Sequence, residues 1–233
     1  MKSLVVIPTY NEKESISQII PEIFSTVGPV HILVVDDNSP DGTGAVVKEL
    51  AKKHPEIHLL ERPGKQGLGR AYLAGFDWAL KHGYEFVVEM DADFSHRPLD
   101  LKNILKAGEA GAEVVVGSRY VKGGGTQNWG LGRKILSRGG GIYSRLILGF
   151  PLQDWTGGFN GWKRNVLQAI ELEKVKSEGY SFQIELKYRA LKKGFKISEI
   201  PILFEERRVG QSKMSSKIVV EAFLRVWKLR LQI

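Results

Sequence analysis

The pattern of hydrophobic and polar positions predicts alternating strands and helices over the first hundred or so residues. Stretches of helical periodicity separate five short, largely apolar runs: SLVVI, HILVV, IHLLE, EFVVEM and AEVVVG. These runs are continuous rather than alternating, which is typical of strands that helices cover on both faces. We therefore predict an α/β fold with a mostly parallel, doubly wound sheet.

Unusual polar segments follow three of the predicted strands. PTYNE follows the first strand, DDNSPDGT the second and DADFSH the fourth. Because ligands bind beyond the carboxyl ends of parallel strands, these segments are expected to meet at one crevice. Carboxylates gathered at that edge repel one another unless a cation or ligand hydroxyls engage them. They are Glu12, Asp36, Asp37, Asp91 and Asp93.

Asp91 and Asp93 are the leading candidates for chemistry. Two carboxylates one residue apart at a strand end suit Mg²⁺ or Mn²⁺, which prefer oxygen ligands and usually share them with phosphate groups. The alternative is structural, with Asp93 or Ser95 capping a helix that starts near Pro98. The spacing alone does not separate these interpretations, but the neighbouring carboxylates favour the cation.

The segment GKQGLGRAYLAG argues against two common nucleotide-binding sites. Tyr72 occupies the position of the third glycine of a dinucleotide fingerprint, and the segment follows the third strand rather than the first. It also lacks the Gly-Lys-Ser/Thr of a P-loop. Neither an NAD site nor a P-loop NTPase site is therefore indicated.

Beyond residue 120 the pattern is less regular. A Gly-rich loop, GGGTQNWGLG, precedes a helical pattern that three glycines at 139–141 interrupt. DWTGGFNGWKR is expected to be a tight segment that folds back against the crevice. A helix over about 181–193 and a strand over about 196–204 are predicted next.

Charge and composition narrow the range of partners. The 233 residues carry a formal net charge of +8, which favours an anionic partner. No acidic residue occurs from Val114 to Gln153, whereas six basic residues do: Arg119, Lys122, Arg133, Lys134, Arg138 and Arg145. The absence of cysteine excludes disulfides and thiolate metal sites. No window approaches the roughly 20 apolar residues of a transmembrane helix.

The last segment, SSKIVVEAFLRVWKLRLQI, predicts an amphipathic helix with a wide apolar face. Its polar residues form one narrow stripe of Lys217, Glu221, Arg225, Lys228 and Gln232. Residues 134–150 likewise combine basic side chains with apolar and aromatic ones. Both segments have the character of interfacial helices, which lie on a membrane surface. The alternative for the last helix is ordinary packing against the domain.

In this order and spacing, VVIPTYNE, VVDDNSPDGT, GLGRAYLAG and MDADFSH resemble the motifs of family 2 glycosyltransferases with the GT-A fold. Within that family the chain is most similar to the dolichol-phosphate (polyprenol-phosphate) mannose synthases, and the similarity continues through GSRYVKGG, GYSFQIEL and ERRVGQSKM. The resemblance implies a GT-A (Rossmann-like) domain over 1–210, with a membrane-facing helical segment at about 131–150. Residues 211–233 would form the end of a basic loop and the amphipathic helix, without a transmembrane segment.

The resemblance also implies roles for individual residues. Asp91 and Asp93 match the metal-binding motif and, with Arg119, are the expected catalytic residues. The acceptor phosphate is expected to contact Arg119, Arg133 and Ser137. The expected donor-binding residues are Pro8, Tyr10, Glu12, Val35, Asp37, Asp91, Ala92, Asp93, Arg207 and Lys213.

The implied reaction is inverting transfer of mannose from GDP-mannose to a polyprenyl (dolichyl) phosphate, with Mg²⁺ or Mn²⁺ as cofactor. A phosphate nucleophile is already anionic near pH 7 and needs no general base. Asp154 and Glu185 are the carboxylates to test if a base is required, although we expect Asp154 in a turn and Glu185 in the first turn of a helix. Ser95 departs from the motif, since relatives often have Gln there, which leaves its coordination open.

Other functions stay open at this point. The same fold could transfer glucose or an aminosugar from a UDP-sugar, and a protein that binds nucleotide sugars without catalysis is an option from another class. Nucleic acid is not an expected partner, because the aromatic residues are not interleaved with the basic ones. The lipid acceptor implies a peripheral protein on the cytoplasmic face of a membrane, with a small membrane-embedded partner as a further option.

Overall fold

A seven-stranded sheet dominates the computed structural model, which describes residues 1–206 and 216–232. The strands are β1 Ser3–Thr9, β2 His31–Asp36, β3 Ile57–Glu61, β4 Phe86–Glu89, β5 Val114–Ser118, β6 Gly125–Thr126, β7 Asn160–Lys163, β8 Ile197–Pro201 and β9 Leu203–Phe204. The strand order is β3-β2-β1-β4-β7-β5-β8, and only β7 runs antiparallel to its neighbours. Strands β6 and β9 pair separately.

Helices cover both faces of this sheet. They are α1 Lys13–Val27, α2 Thr43–Lys53, α3 Leu68–Lys81, α4 Pro98–Glu109, α5 Leu131–Leu148, α6 Arg164–Ala169, α7 Gly179–Lys192 and α8 Ser216–Gln232, with a 3-10 helix at Leu172–Lys174. Helices α1, α2 and α4 contribute Ile16, Val47 and Leu101 to the core on one face. Helices α3, α6 and α7 contribute to the core on the other. The predicted α/β fold is confirmed.

The continuous apolar runs follow from this double coverage. In β1, Val5 and Ile7 belong to one core cluster while Leu4 and Val6 belong to the other, and all four are fully buried. Each fully buried side chain of this size stabilises the fold by roughly 1.5–3 kcal/mol. A polar residue at any of these positions would lose that contribution, so both faces of the strand must be apolar.

The carboxyl ends of β2, β1 and β4 lie side by side, as predicted. Thr9 pairs with Asp36 across β1 and β2, and Val6 pairs with Glu89 across β1 and β4. The backbone N–H of Asp37 also donates to the carbonyl of Thr9 at 3.1 Å. The three polar segments therefore leave the sheet at the same edge.

Strand β7 is a departure from the sequence analysis. Residues 160–163 of DWTGGFNGWKR enter the middle of the sheet between β4 and β5 rather than forming a loop against the crevice. Gly161 makes this possible, because a Cβ there would lie 2.3 Å from the Phe86 ring. Such a close approach of strand to ring requires glycine.

Helices α5 and α8 pack together beside α7. The glycines at 139–141 do not interrupt α5, which is continuous. Val226 and Leu229 of α8 are buried with Leu148, Trp155 and other residues, while the ring of Tyr143 lies 4.2 Å from that of Phe223. Part of α8 therefore packs against the domain. Among the described residues, none of the helices combines the length and apolar character needed to cross a bilayer.

The remaining boundaries are close to those predicted. The helix expected over 181–193 is α7, which begins two residues earlier at Gly179. The strand expected over 196–204 is broken at Ile202 into β8 and β9. Through β9 the chain leaves the main sheet and passes close to the DADFSH segment, where the N–H of Glu205 donates to the carbonyl of Ser95 at 3.3 Å.

Candidate active site

Each of the three converging strand ends carries a residue with left-handed backbone. Asn11, Asn38 and Phe94 have φ angles of 59°, 57° and 64°. Asparagine adopts this region readily, whereas a bulky residue such as phenylalanine rarely does. Strain of this kind persists where the surrounding structure enforces it, often at functional sites. The backbone thus marks the same edge as the carboxylates do.

Fixed neighbours hold the two aspartates of the DADFSH segment. The Tyr72 hydroxyl donates to Oδ1 of Asp91 at 3.0 Å, and the N–H of Asp91 donates to Nδ1 of His96 at 3.0 Å. Oδ1 of Asp93 accepts from the N–H of Ser95 at 3.1 Å. Burial and the neighbouring carboxylates raise the pKa of Tyr72, so its hydroxyl stays a donor. Both carboxylates are oriented before any ligand binds.

The structure does not support a capping role for this segment. The N-cap residue of α4 is Arg97, and no side chain caps this helix. Instead, Asp100 in the first turn accepts from Nε of Arg97 at 2.9 Å. The alternative interpretation of Asp93 and Ser95 as helix caps is therefore wrong.

A divalent cation fits the residues that remain. The Ser95 hydroxyl is buried and has no hydrogen-bond partner among the described residues, an arrangement that native structures rarely leave unexplained. Asp91 and Asp93 supply two carboxylates, but within residues 1–206 and 216–232 no group of three His, Cys, Asp or Glu side chains could hold a metal. Mg²⁺ and Mn²⁺ sites with few protein ligands are completed by phosphate and water. This matches a cation that binds together with a nucleotide.

The carboxylates at the end of β2 have internal partners. Asp36 accepts from the hydroxyls of Thr9 and Ser39 at 2.8 and 2.6 Å, so it closes the turn after β2. Asp37 forms a buried ion pair with Arg62 at 2.8 Å. Burial raises the pKa of Asp37, and Arg62 opposes that rise. Arg62, which the sequence analysis did not single out, supplies the positive charge that Asp37 needs.

The other residues expected to bind the donor are divided between surface and core. Tyr10 is exposed, with the Lys65 ammonium 4.2 Å from its ring centre. Glu12 is partly buried and accepts from the Ser15 hydroxyl at 3.1 Å. The Pro8 side chain is partly buried, whereas Val35 and Ala92 belong to the two core clusters.

Donor binding by these residues stays a prediction. Two further residues expected to bind the donor, Arg207 and Lys213, lie outside the described residues.

A buried ion pair organises the second half of the site. Asp154 accepts from Nε and Nη2 of Arg119 at 2.7 and 2.6 Å, and Nη2 also donates to Thr156 at 2.8 Å. Burial alone would raise the pKa of Asp154, but the Arg119 guanidinium outweighs burial and lowers it to about 2. These contacts use Nε and Nη2, so Nη1 has no hydrogen bond to any described residue.

Arg133 and Ser137 lie in the same cluster as Arg119. The Arg133 guanidinium carbon is 4.1 Å from the ring centre of Trp129, and that of Arg119 is 5.5 Å from it. Ser137 accepts a hydrogen bond of 2.6 Å from Tyr120, the residue that follows Arg119. The three residues expected near the acceptor phosphate are thus brought together, and the structure adds Trp129 and Tyr120 to them.

Phe204 separates this cluster from the aspartate pair. Its ring centre is 5.4 Å from that of His96, which holds Asp91, and 5.3 Å from that of Trp129. The Arg119 guanidinium carbon lies 5.6 Å from the same ring. One aromatic side chain therefore contacts both the segment of the candidate cation site and the candidate anion site, which places the two sites next to each other.

A buried polar network supports the site from behind. Glu89 accepts from Asn160 at 2.8 Å and from Gln183 at 3.1 Å, and Lys187 donates to the carbonyls of Asp154, Trp155 and Gly157. Burial raises the pKa of Glu89 to about 7 and lowers that of Lys187 to about 8. The network ties β4, which leads to Asp91, to the turn that holds Asp154.

Neither carboxylate considered as a general base is available for that role. Asp154 is in the turn expected for it, and its pair with Arg119 keeps it ionised with little basicity. Glu185 lies in the second turn of α7, not the first, because the helix begins at Gly179. It is buried and accepts from Arg189 at 2.8 Å. The geometry suits an anionic nucleophile that needs no base.

The model of the family described as "Glycosyl transferase family 2" matches residues 4–171, which span both halves of this site. The chain belongs to glycosyltransferase family 2. Its fold is the GT-A fold expected for the family, and it is an enzyme of the glycosyltransferase class.

Two relatives indicate which kind of glycosyltransferase this chain resembles. It is 49% identical to a polyprenol monophosphomannose synthase from Mycolicibacterium smegmatis, over 98% of this chain and 88% of the relative. It is 45% identical to an undecaprenyl-phosphate mannosyltransferase from Micrococcus luteus, over 97% of this chain and 93% of the relative. The chain resembles the polyprenol-phosphate mannose synthases, as the sequence analysis predicted.

A solved structure supports the fold of the glycosyltransferase. A mannosyltransferase from Pyrobaculum calidifontis, in complex with GDP-mannose and Mn²⁺, superimposes with a TM-score of 0.57 at 21% identity. The match covers 88% of this chain and 56% of the other protein. At 21% identity, this similarity shows that the two proteins share a fold and nothing more.

Proposed function

We propose that the protein transfers mannose from GDP-mannose to a polyprenyl phosphate, with inversion at the sugar and with Mg²⁺ or Mn²⁺. The observation that carries the proposal is the juxtaposition across Phe204 of the Asp91–Asp93 pair and the Arg119 cluster. A nucleoside diphosphate with its cation suits the first, and a phosphate monoester suits the second. The two named relatives act on polyprenyl phosphates with mannose, which supports this choice of sugar and acceptor.

The residues divide the work of the reaction between them. An acceptor phosphate oxygen forms the new bond to the anomeric carbon as the bond from that carbon to the GDP oxygen breaks. Asp91 and Asp93 would hold the cation, which offsets the negative charge that develops on the departing diphosphate. Arg119, fixed by Asp154, would present Nη1 to the acceptor phosphate. Arg207 and Lys213, outside the described residues, are proposed to act on the donor diphosphate.

A donor comparison tests this proposal. We expect radiolabel from GDP-mannose to enter a lipid-extractable product when polyprenyl phosphate and Mg²⁺ or Mn²⁺ are present. A chelator should abolish the transfer, and UDP-glucose should give no product. Label from UDP-glucose alone would keep the fold and acceptor but replace the sugar. Cation-dependent binding of GDP-mannose without any transfer would favour the non-catalytic alternative.

The acceptor implies contact with a membrane, and one surface of the protein suits that contact. Exposed apolar residues form a stripe on α5 and another on α8: Leu131, Ile135, Ile142, Leu146, Leu224, Trp227 and Leu231. Exposed basic residues stand beside them: Lys134, Arg138, Lys228 and Arg230. We call the two stripes the α5–α8 surface. A surface of this kind favours an anionic lipid interface.

Loss of apolar side chains from the α5–α8 surface should weaken vesicle binding. In a variant with Ile135→Ser and Leu146→Ser, we expect the partition onto vesicles containing anionic phospholipid to fall at least about tenfold, since each side chain loses its burial in lipid. Sedimentation with vesicles measures the effect. Leu99→Ser, at an exposed leucine of α4, is the matched control and should bind as the wild type does. Equal binding of both variants would exclude this surface.

The placement of the whole protein follows from these proposals. Residues 1–210 would form the catalytic domain, with α5 as its membrane-facing segment and 211–233 as the end of a basic loop and an interfacial helix. We propose peripheral attachment at the cytoplasmic face of the membrane. A small membrane-embedded partner remains a prediction.

A further inference from the structure

Trp129 occupies a central position between the two arginines of the acceptor cluster. The Arg133 guanidinium carbon is 4.1 Å from its ring centre, and the Arg119 guanidinium carbon is 5.5 Å from it. The Phe204 ring meets it edge-on at 5.3 Å. A guanidinium over an indole ring is held in place by the ring's negative face. Trp129 therefore restrains both cations.

Backbone contacts fix the loop that carries Trp129. Asn128, the preceding residue, has a φ angle of 60°. The N–H of Gln127 donates to the carbonyl of Phe204 at 2.8 Å, which fixes the loop to β9. The position of the indole is thus set by the backbone rather than by ring packing alone.

The indole N–H of Trp129 has no acceptor. The side chain is only 7% exposed, and its Nε1 is buried without a hydrogen-bond partner among the described residues. A buried donor left unpaired is costly, and in native proteins it needs an explanation such as a missing ligand atom. Arg119 and Arg133 beside its ring are cations, which can only donate. Glu206, whose carboxylate lies 3.5 Å from Nη1 of Arg133, does not accept from the indole N–H. The group that completes this site must therefore be an acceptor and should be anionic.

We infer that Trp129 is an acceptor-binding residue, whose indole N–H donates to the acceptor phosphate that Arg119 and Arg133 hold. The inference rests on the proposed function for the identity of the acceptor. The indole N–H of Trp129 adds a neutral donor to the two cations. The indole ring has the separate task of orienting Arg133. The two tasks can be separated by substitution, since phenylalanine keeps a ring and removes only the N–H.

Kinetics of three variants test this role. Trp129→Phe should raise KM for a short polyprenyl phosphate about tenfold, the usual effect of losing a hydrogen bond to a charged group. KM for GDP-mannose should stay within about twofold, because the donor site is on the other side of Phe204. Trp129→Leu should raise the acceptor KM further, since Arg133 loses its support. Trp78→Phe is the control, because it removes an indole N–H from α3, where the ring stacks on His82.

A binding measurement separates this inference from the proposed function. Isothermal titration with inorganic phosphate and with farnesyl phosphate should show weaker binding to Trp129→Phe than to the wild type, and unchanged binding to Trp78→Phe. If the wild type transfers mannose but Trp129→Phe keeps both its acceptor KM and its phosphate affinity, the role of Trp129 is excluded while the function stands. If no mannose is transferred but phosphate binding still depends on the indole N–H, the role of Trp129 stands and the proposed acceptor or sugar does not.

Discussion

Replacing Asp91 or Asp93 by asparagine is expected to lower kcat by about 10³-fold, because the cation that offsets the charge on the departing diphosphate would lose a ligand. The fold should be unaffected. Asparagine keeps an oxygen that accepts from Tyr72 or from the N–H of Ser95, and the change removes one of two neighbouring like charges. Initial rates of transfer at saturating donor and acceptor measure the effect, and the midpoint of thermal unfolding monitors the fold.

Asp77→Asn provides a matched control for this pair of variants. Asp77 is an exposed residue of α3 that pairs with Lys81 at 2.7 Å, away from the strand ends. Its substitution should leave both the rate and its dependence on Mg²⁺ or Mn²⁺ unchanged. If Asp91→Asn or Asp93→Asn kept near-normal activity in the presence of a chelator, the metal-binding role of the pair would be refuted.

The crevice was predictable because the two features that indicate it, an apolar strand and the polar residues directly after it, are adjacent in the sequence. Buried parallel strands must be apolar on both faces, so β1 to β5 are visible as continuous runs such as HILVV. Each apolar run ends where polar residues begin, and a parallel sheet brings the carboxyl ends of its strands to one edge. The same reasoning failed for β7. Gly161 lowers the strand character of NGWK, and its fit against the Phe86 ring is a tertiary contact.

The partners of the charged residues were not predictable in the same way. Tyr72 served only as an argument against a dinucleotide site, yet its hydroxyl holds Asp91 from 19 residues away in the chain. Arg62 and Trp129 gave no sequence signal beyond their residue types. For Arg119 a signal existed, since Asp154 is the first acidic residue after the acid-free stretch from Val114 to Gln153. Arg119 lies within that stretch, and its counter-charge is the first carboxylate beyond it.

Asp154→Asn is expected to destabilise the protein by about 3–5 kcal/mol, because it leaves the buried Arg119 guanidinium without its counter-charge. The pair is almost completely buried, with side-chain exposures of 4% and 0%. Urea unfolding at pH 7 measures the loss. The matched change Asp77→Asn breaks an exposed pair and should cost less than about 1 kcal/mol. A loss of similar size in both variants would mean that the buried pair does not stabilise the fold in the expected way.

The stability of the fold should depend on pH because Asp154 must stay ionised to pair with Arg119. The pKa of Asp154 is lowered from 3.8 to about 2 in the folded state, so its contribution is present above about pH 4 and is lost as pH falls toward 2. Through thermodynamic linkage, this pKa shift corresponds to a loss of about 2 kcal/mol in the free energy of unfolding over that interval. Asp154→Asn should lack this part of the acid-induced loss. A wild-type curve that matched the variant's curve between pH 4 and 2 would contradict the lowered pKa.

A double variant separates the structural task of Arg119 from its proposed task in binding the acceptor. Arg119→Met in the Asp154→Asn background removes the unpaired charge, so stability should recover in part, as it does when buried ion pairs are replaced by apolar side chains. The recovery is only partial because the backbone N–H groups of Arg119 and Gly157 donate to different oxygens of Asp154, and asparagine keeps one of the two. Activity should not recover, because the acceptor phosphate has lost a guanidinium ligand. Recovery of stability and activity together would make Arg119 a purely structural residue, and the acceptor would then depend on Arg133 and Trp129.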